Sequence, residues 1–266
     1  MITIVVPMAG RGSRFAVAGY DKPKPLIEID GYTMIELVIA NLRPTEPHRF
    51  VFIAQREHDD EYDLRGRLDR WAPGCELVLL DGVTEGAACT VLTAAPHIAP
   101  DDPLMIANSD QWVDIEIDDY LAAHRNSGHE GFIMTMTATD PKWSFVSFDA
   151  AGDVDGVVEK VPVSDVATVG IYNFSAGRQF VDAAHTMIAA DKRVNGEFYV
   201  APCYDELLGA GGTVGVHGVG SEANGMYGLG TPADLELFRS LPVSARAVER
   251  ATVSRTRTRQ GVHSPG

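Results

Sequence analysis

The sequence predicts an α/β fold built around a mixed, largely parallel β-sheet. Short apolar runs recur along the first half of the chain; they are too short for buried helices and read as strands covered on both faces. Segments with helical spacing lie between these runs. The 266 residues are enough to bury one full core, so we expect one domain rather than two.

The elements of the first half can be assigned in order. The predicted strands span 2–6, 49–54, 76–80, 104–107 and 131–137. The predicted helices between them span 34–42, 60–71, 87–95 and 117–126. Ligands of such open sheets bind beyond the carboxyl ends of the strands, where the connecting loops collect. We therefore expect the functional site in the loops after Val6, Ala54 and Ala107.

The second half of the chain has shorter predicted elements and more turn signals. The predicted elements are a hairpin of 144–149 and 156–161, a strand at 169–174, a helix at 177–191 and further segments at 195–208 and 232–241. After Pro242 the apolar periodicity ends and arginines recur. The segment 242–266 is therefore predicted to be a disordered tail.

Composition and charge exclude several classes of function. The formal net charge of −15 at pH 7 argues against a nucleic-acid or anionic-membrane binder, because such partners favour basic surfaces. The three cysteines, Cys75, Cys89 and Cys203, lack CxxC spacing, so neither a disulfide framework nor a zinc site is indicated. The chain shows neither a signal-peptide pattern nor a membrane-spanning stretch, which predicts a cytoplasmic protein.

A glycine-rich loop follows the first predicted strand. It contains Ala9, Gly10, Gly12 and Ser13, and its glycines can adopt positive φ and let phosphate oxygens approach backbone N–H groups. The GxxxxGK[ST] pattern of P-loop NTPases is absent, and Phe15 stands where the GxGxxG dinucleotide pattern needs its third glycine. A glycine turn that merely links a strand to a helix is the alternative.

Basic residues accumulate beside this loop in an otherwise acidic protein. They are Arg14, Lys22 and Lys24. Arginine can clamp phosphate with two parallel hydrogen bonds, and lysine supplies a mobile point charge for a developing oxyanion. The loop is therefore predicted to bind an oligophosphate.

A family resemblance emerges at these residues. The pattern GxGxR at 10–14, followed by PKPL at 23–26, resembles the opening signature of the sugar-1-phosphate nucleotidyltransferases, the NDP-sugar pyrophosphorylases. The resemblance implies a three-layer Rossmann-like sandwich with a mixed, mainly parallel sheet, of glycosyltransferase-A-like fold. It also implies that Arg14 and Lys24 contact the triphosphate and pyrophosphate, with Lys22 as an extra basic residue.

The resemblance also implies how the chain is divided. Similar motifs continue to about Phe238, so we expect one nucleotidyltransferase domain over 1–241. Its NTP-binding part would span about 1–140 and its acceptor-binding part about 141–241. The match is closer to nucleotidyltransferases of surface-polysaccharide biosynthesis than to the well-defined thymidylyl- or uridylyltransferases.

Two later loops fit the same family. Gly86 and Ala87 open a predicted helix with small residues, where the family receives the nucleobase; close helix–sheet packing is the alternative. Asp110 follows an apolar strand, where family members hold Mg²⁺ with an aspartate. An ordinary turn or helix-cap residue is the alternative. Asp114 is a further acidic residue that could help.

Three motifs in the second half resemble acceptor-binding segments of the family. Lys160 follows Glu159 as in the family's Glu-Lys-Pro element, where the lysine reaches the acceptor phosphate, although Val161 interrupts the usual order. Gly170 belongs to a segment similar to the A-x-x-G-I-Y strand, and Glu197 to the segment whose glutamate hydrogen-bonds sugar hydroxyls. Taken alone, Lys160 and Glu197 would be ordinary surface residues.

One motif departs from the family. The segment 226–235 resembles W-x-D-x-G-T-P-x-D-L, but Gly228 stands where many members place a second metal-binding aspartate. Either Asp110 acts with phosphate oxygens and water alone, or a neighbour such as Glu222 or Asn224 substitutes. The departure argues against two-metal assistance of the reaction.

The resemblance implies a Mg²⁺-dependent enzyme that transfers NMP from an NTP to a phosphorylated acceptor, a sugar 1-phosphate, and releases pyrophosphate. The alternatives are cytidylyl transfer to a non-sugar phosphate or phosphonate, and a catalytically weak nucleotide-sugar-binding or regulatory protein. A glycosyltransferase of the same fold would need a DxD motif, of which 108–110 has only the last aspartate. The base, the acceptor and the oligomeric state stay open, although such pyrophosphorylases frequently form homo-oligomers.

Overall fold

The computed structural model describes residues 1–261, and side chains through residue 256. The strands are β1 Ile2–Pro7, β2 Glu28–Ile29, β3 Tyr32–Thr33, β4 His48–Gln55, β5 Glu76–Leu80, β6 Leu104–Ala107, β7 Gln111–Val113, β8 Gly131–Thr137, β9 Ser144–Phe148, β10 Val154–Glu159, β11 Val166–Phe174, β12 Val214–Glu222 and β13 Gly225–Gly228. The helices are α1 Ser13–Val17, α2 Met34–Leu42, α3 Arg56–Tyr62, α4 Leu64–Trp71, α5 Ala87–Leu92, α6 Ile117–Ser127, α7 Gly177–Ala189, α8 Cys203–Gly209, α9 Pro232–Ser240 and α10 Val243–Gly261.

The large sheet is mixed. Its main path runs β5-β4-β1-β6-β11-β8-β12-β13-β7. β1 pairs in parallel with both β4 and β6, and β4 pairs in parallel with β5. β11 runs antiparallel to β6 and β8, and β9 attaches the hairpin of β9 and β10 to it. The mixed sheet and the hairpin predicted from the sequence are confirmed.

Helices cover both faces of this sheet, because successive strand residues point to opposite faces. In β1, Ile4 and Val6 join the hydrophobic cluster that α2 and α6 complete on one face. Val5 joins the cluster that α5, α7 and α8 complete on the other. Apart from Thr3, β1 is apolar for this reason, and the two clusters give the predicted three layers.

The helices on the first half differ from prediction in detail. The helix predicted at 60–71 is two helices, α3 and α4, separated by Asp63, which has φ of +50° and caps α4 through its side chain. The helix predicted at 87–95 ends as an α-helix at Leu92 and continues as a 3₁₀ turn at Ala95–His97. Among residues 1–261, no helix is long and apolar enough to cross a membrane.

The predicted disordered tail is wrong for most of its length. The structure has α10 at Val243–Gly261 instead. Val243, Ala247 and Ala251 are buried in a third hydrophobic cluster with α9 and the start of α2. Their spacing of four residues forms an apolar stripe, but two of its three members are alanines, which weakens the hydrophobic signal. Residues 262–266 of the predicted tail lie outside the described residues.

Candidate active site

A cavity of about 560 Å³ opens beyond the carboxyl ends of β1 and β6. Its walls are Pro7, Met8, Ala9, Gly10, Arg11, Lys24, Val83, Thr84, Gly86, Ala87, Thr90, Asn108, Ser109, Asp110 and Glu197. Two of the three loops expected to form the site therefore meet here, those after Val6 and Ala107. The loop after Ala54 faces a neighbouring cavity of about 490 Å³, which shares Arg11 and Val83 with the first.

A buried glutamine links these loops. Gln55, at the end of β4, donates from Nε2 to the carbonyl oxygen of Ala9 at 2.6 Å and to that of Gly82 at 3.2 Å. It thereby ties the glycine-rich loop to the loop that precedes Gly86. Sequence reasoning missed Gln55, because a glutamine at a strand end has no local signature for a contact so far along the chain.

The glycine-rich loop turns sharply between β1 and α1. Gly12 has φ of +60°, a left-handed conformation that glycine adopts without strain, and it lies next to Lys24. Ala9 and Gly10 lie in the cavity wall, whereas Gly12 and Ser13 are not among its lining residues.

The two arginines of this loop have different positions. Arg14 is exposed on α1 and is not in the cavity wall. Arg11, between the two glycines, is in that wall. Sequence reasoning missed Arg11, although its place inside the glycine loop was an available signal.

A pair of opposite charges lies in the cavity wall. Nζ of Lys24 is 2.7 Å from Oδ2 of Asp110, and the two side chains are 22% and 25% exposed. Lys24 begins a 3₁₀ turn, Lys24–Leu26, that Pro23 and Pro25 favour. Asp110 follows β6 and precedes β7. The two predicted site residues are thus brought together from distant parts of the chain.

The segment after β13 closes around Asp110. The backbone N–H of Leu229 donates to the carbonyl oxygen of Asp110 at 2.7 Å. A Cβ at Gly230 would lie 2.9 Å from Oδ2 of the same aspartate. Glycine at 230 therefore leaves the room that the Asp110 carboxylate occupies.

Of the acidic residues suggested as metal ligands from the sequence, Asp110 alone lines the cavity. Gly228 pairs with Gln111, the residue after Asp110, and supplies no ligand. Asp114 is held by Arg246, and Glu222 pairs with Lys142 at 2.6 Å. Within the described side chains, no group of three histidine, cysteine or acidic residues could hold a metal ion.

A single carboxylate is nevertheless compatible with Mg²⁺. This ion is commonly bound through one or two carboxylates together with substrate phosphates and water. The arrangement around Asp110 therefore fits a magnesium ion that shares its ligands with a triphosphate. Asn224, the other suggested substitute, donates its backbone N–H to Ser221 and accepts from Ser221 at its carbonyl, and its side chain is not part of the cavity wall.

Gly86 has a structural reason to be glycine. Its φ is +140°, and a Cβ there would lie 2.4 Å from the carbonyl oxygen of Phe198. That oxygen accepts a hydrogen bond from the N–H of Ala88 at 2.9 Å, and the N–H of Phe198 donates to Glu85 at 3.0 Å. The start of α5 is thus packed against the segment that carries Glu197. Gly86, Ala87 and Glu197 all line the cavity.

Lys160 lies beside this segment. Its Nζ donates to the Tyr199 hydroxyl at 2.6 Å and stands 4.5 Å from the centre of that ring. The hydrogen bond to Tyr199 raises the pKa of Lys160, so the ammonium stays charged at neutral pH. Lys160 is not in the cavity wall, and Tyr199 follows Glu197 by two residues. Sequence reasoning missed the tyrosine.

The neighbouring Glu159 is buried. Its Oε2 accepts a hydrogen bond from Oγ of Ser144. Burial raises the pKa of the Glu159 carboxyl. Glu159 in β10 pairs with Ser144 in β9. Their contact stabilises the end of the hairpin, directly before Lys160.

Gly170 marks a close approach between β11 and the loop after β6. It has φ of +79°, and a Cβ there would lie 2.1 Å from Nδ2 of Asn108. The N–H of Asn108 donates to the carbonyl oxygen of Gly170 at 2.9 Å. Gly170 is outside the cavity wall, but Asn108 is in it, so the glycine supports the wall from behind.

Comparison with known proteins gives one family. A family model described as nucleotidyl transferase matches residues 4–199. Mannose-1-phosphate guanylyltransferase catalytic subunit beta of Drosophila pseudoobscura pseudoobscura is 26% identical over 181 residues, 64% of this chain and 47% of that protein. The chain thus spans about half the length of that relative. UTP–glucose-1-phosphate uridylyltransferase of Haloferax volcanii is 24% identical over 222 residues, 79% of this chain and 85% of that protein.

A solved structure agrees. The nucleoside-diphosphate-sugar pyrophosphorylase from Vibrio cholerae RC9 superimposes on this chain with a TM-score of 0.76 and 26% sequence identity. The alignment covers 90% of this chain and 100% of the other. The family match covers most of the chain, including the glycine-rich loop and the segment of Glu197. The chain belongs to the nucleotidyl transferase family.

Proposed function

We propose that this protein transfers a nucleoside monophosphate from an NTP to a sugar 1-phosphate, releasing pyrophosphate and forming an NDP-sugar. The observation that carries the proposal is the shared cavity, in which the Lys24–Asp110 pair, Gly86 and Glu197 all take part. The relatives support the class of acceptor, since their names specify mannose 1-phosphate and glucose 1-phosphate.

The proposed reaction is an in-line substitution at the α-phosphorus. An oxygen of the acceptor phosphate forms a bond to this phosphorus, and the bond to the bridging oxygen of the leaving pyrophosphate breaks. Because the attacking phosphate is already anionic, no general base is needed. Catalysis then depends on alignment of the two substrates and on neutralising charge.

The phosphate side of the cavity would neutralise the triphosphate. Lys24 would exchange the Asp110 carboxylate for phosphate oxygens, and a guanidinium from the glycine-rich loop would assist. We assign this guanidinium to Arg14, with Arg11 as the competing candidate because it already lies in the wall. Alanine variants of each arginine identify the one that contributes, since its loss must lower the rate of pyrophosphate release.

Asp110 would hold Mg²⁺ together with phosphate oxygens. The ion, when bound, would offset negative charge on the triphosphate. The N–H of Leu229 donates to the carbonyl oxygen of Asp110 and Gly230 leaves space for its carboxylate, which supports this role. With Gly228 in the chain, we propose one protein carboxylate rather than two.

The acceptor side would use Lys160 and Glu197. Lys160 carries a full charge beside the cavity and would leave the Tyr199 hydroxyl to meet the acceptor phosphate. Glu197 lines the cavity and would accept hydrogen bonds from sugar hydroxyls. Gly86 and Ala87 would lie against the nucleobase between these two sides.

The experiment is a matrix of the common NTPs against sugar 1-phosphates with Mg²⁺, followed by pyrophosphate release. Turnover with at least one pair, dependent on both substrates, is the expected result. NTP binding without turnover for any pair would instead support a nucleotide-binding protein. Turnover only with non-sugar phosphates or phosphonates would support the cytidylyltransferase alternative.

A further inference from the structure

The segment that carries Glu197 is a tight two-residue reverse turn. Val194 and Glu197 exchange both backbone hydrogen bonds, each at 3.0 Å. The residues between them, Asn195 and Gly196, have φ of +50° and +82°. Two successive positive φ values define the type I′ turn that Asn-Gly favours. The turn therefore has a defined shape, and it presents Glu197 at the cavity.

Directly after this turn, the chain contacts the loop that carries Glu85 and Gly86, here called the nucleotide loop. Phe198 donates its N–H to Glu85 and accepts at its carbonyl from Ala88. These two backbone hydrogen bonds flank Gly86, which has no side chain to keep the two segments apart. The loops proposed for the acceptor and for the nucleobase thus share a backbone contact.

One side chain spans the same junction from the outside. Arg193 donates from Nη2 to Glu85 at 2.6 Å and from Nε to Asp191 at 2.5 Å. Its Nη1 reaches the carbonyl oxygen of Gly196 at 3.3 Å. Its guanidinium carbon lies 4.2 Å from the centre of the Phe198 ring.

A guanidinium suits this junction because its planar fork can serve several acceptors and stack on a ring at once. Glu85 belongs to the nucleotide loop, whereas the carbonyl oxygen of Gly196 and the ring of Phe198 belong to the turn and its continuation. Exposed ion pairs usually contribute little to folding. The distinctive property of Arg193 is that it joins two substrate loops.

We propose that Arg193 is a positioning residue that fastens the turn carrying Glu197 to the loop carrying Gly86, so that the two substrates bind with positive coupling. The inference rests on the proposed function. Fixing either loop with its substrate would pre-order the other, and the second substrate would then bind to a site already formed.

The first test compares kinetic constants of Arg193→Ala with those of the wild-type protein. We expect the KM for the sugar 1-phosphate to rise about three- to tenfold, with a smaller change in kcat, because Arg193 touches neither reacting group. Arg193→Lys keeps the positive charge but loses the planar guanidinium. Its KM for the sugar 1-phosphate should lie between the values for the wild-type protein and Arg193→Ala. Arg178→Ala is the matched control, since Arg178 pairs with Asp101 away from the cavity.

The second test measures the coupling itself. A non-reactive α,β-methylene analogue of the preferred NTP is titrated with and without the sugar 1-phosphate. The acceptor should tighten binding of the analogue in the wild-type protein, and this gain should shrink in Arg193→Ala, since coupling between two ligands is reciprocal. Equal gains in the two proteins would overturn the inference.

The outcomes separate the two proposals. Absence of turnover in the wild-type protein would remove the proposed function. Wild-type turnover with an unchanged acceptor KM in a folded Arg193→Ala would overturn only the positioning role. If Arg193→Ala fails to fold, Glu85→Ala decides the question, because it removes the carboxylate that accepts from Nη2 of Arg193 and should raise the same KM.

Discussion

At the scale of single residues, the ion pair between Lys24 and Asp110 is central to the proposed reaction. Each side chain keeps about a quarter of its surface exposed, so water screens their attraction and the pair can open at small cost. A triphosphate offers Lys24 more negative charge than one carboxylate does. In the proposed reaction, Lys24 would therefore exchange the Asp110 carboxylate for a phosphate oxygen.

Lys24→Ala should reduce the rate of pyrophosphate release by about a hundredfold or more, because it removes the positive charge that we propose neutralises the leaving group. Lys22→Ala is the matched control. Lys22 is an exposed neighbour that pairs with Glu28 and is not in the cavity wall, so its loss should change the rate far less. Equal rates for Lys24→Ala and wild type would contradict the role of Lys24.

The residue patterns predicted the segments that meet in the cavity better than the contacts within it. Lys24, Asp110, Gly86 and Glu197 were named as candidates from motifs in the sequence, and the structure brings all four to one cavity. Their catalytic and binding roles stay predictions. Contacts such as Arg193 with Glu85 were not predictable, because two surface side chains so far apart in sequence leave no local pattern.

At the scale of elements, α10 braces the segment that follows Asp110. Arg246 pairs with Asp114, and Arg250 pairs with Glu116 and donates to the carbonyl oxygen of Ile115 at 2.8 Å. These partners lie directly after β7, the strand that Asp110 precedes. Arg246 and Arg250, which lie in the segment predicted to be a disordered tail, therefore make long-range contacts.

Ala247→Asp should destabilise the protein by about 3 kcal/mol or more, because Ala247 is fully buried and a carboxylate there would lack a partner. Ala245→Asp is the control, since Ala245 lies on the exposed face of the same helix. Urea unfolding of both variants checks the difference. An equal free energy of unfolding for the two would show that α10 does not pack as described.

Element prediction succeeded where burial enforced a pattern. The strand predicted at 2–6 is observed at Ile2–Pro7, since both of its faces are covered. β12 at Val214–Glu222 was not predicted, because three of its nine residues are glycines that interrupt the strand pattern. β12 is a strand because it pairs with β8, and this long-range pairing leaves no local pattern in the sequence.

At the scale of the whole molecule, one buried and three half-buried histidines link stability to pH. Burial lowers the pKa of His48, His58, His124 and His217 below the ordinary value of 6.5. The unfolded chain therefore takes up protons at pH values where the folded protein does not. Well above pH 6.5 these four side chains are neutral in both states, and the folded state loses stability as the pH falls through 6.5.

The free energy of unfolding should therefore decrease between pH 7 and pH 5.5 in urea titrations. His124→Gln should make this decrease smaller, because it removes one of the histidines whose pKa is lowered by burial in the folded protein. Glutamine keeps a donor for the carbonyl oxygen of His129, which contacts the ring at 3.1 Å. A pH dependence identical to that of the wild type would exclude a contribution from His124.

The whole molecule also shows how an acidic protein could accommodate the proposed triphosphate. The net charge is −15, yet Arg11 and Lys24 lie in the cavity wall, with Arg14 exposed on the adjoining helix. The parallel strands place these residues at the same edge of the sheet as Asp110. The fold thus supplies locally the positive charge that the surface lacks.

The most direct test of the account follows the fate of the α-phosphorus. With the NTP and sugar 1-phosphate pair that supports turnover, label placed at the α-phosphorus should appear in the NDP-sugar, and label placed at the γ-phosphorus should appear in pyrophosphate. Both transfers should require the acceptor. Release of γ-label as inorganic phosphate, or absence of α-label from the sugar nucleotide, would contradict nucleotidyl transfer by this cavity.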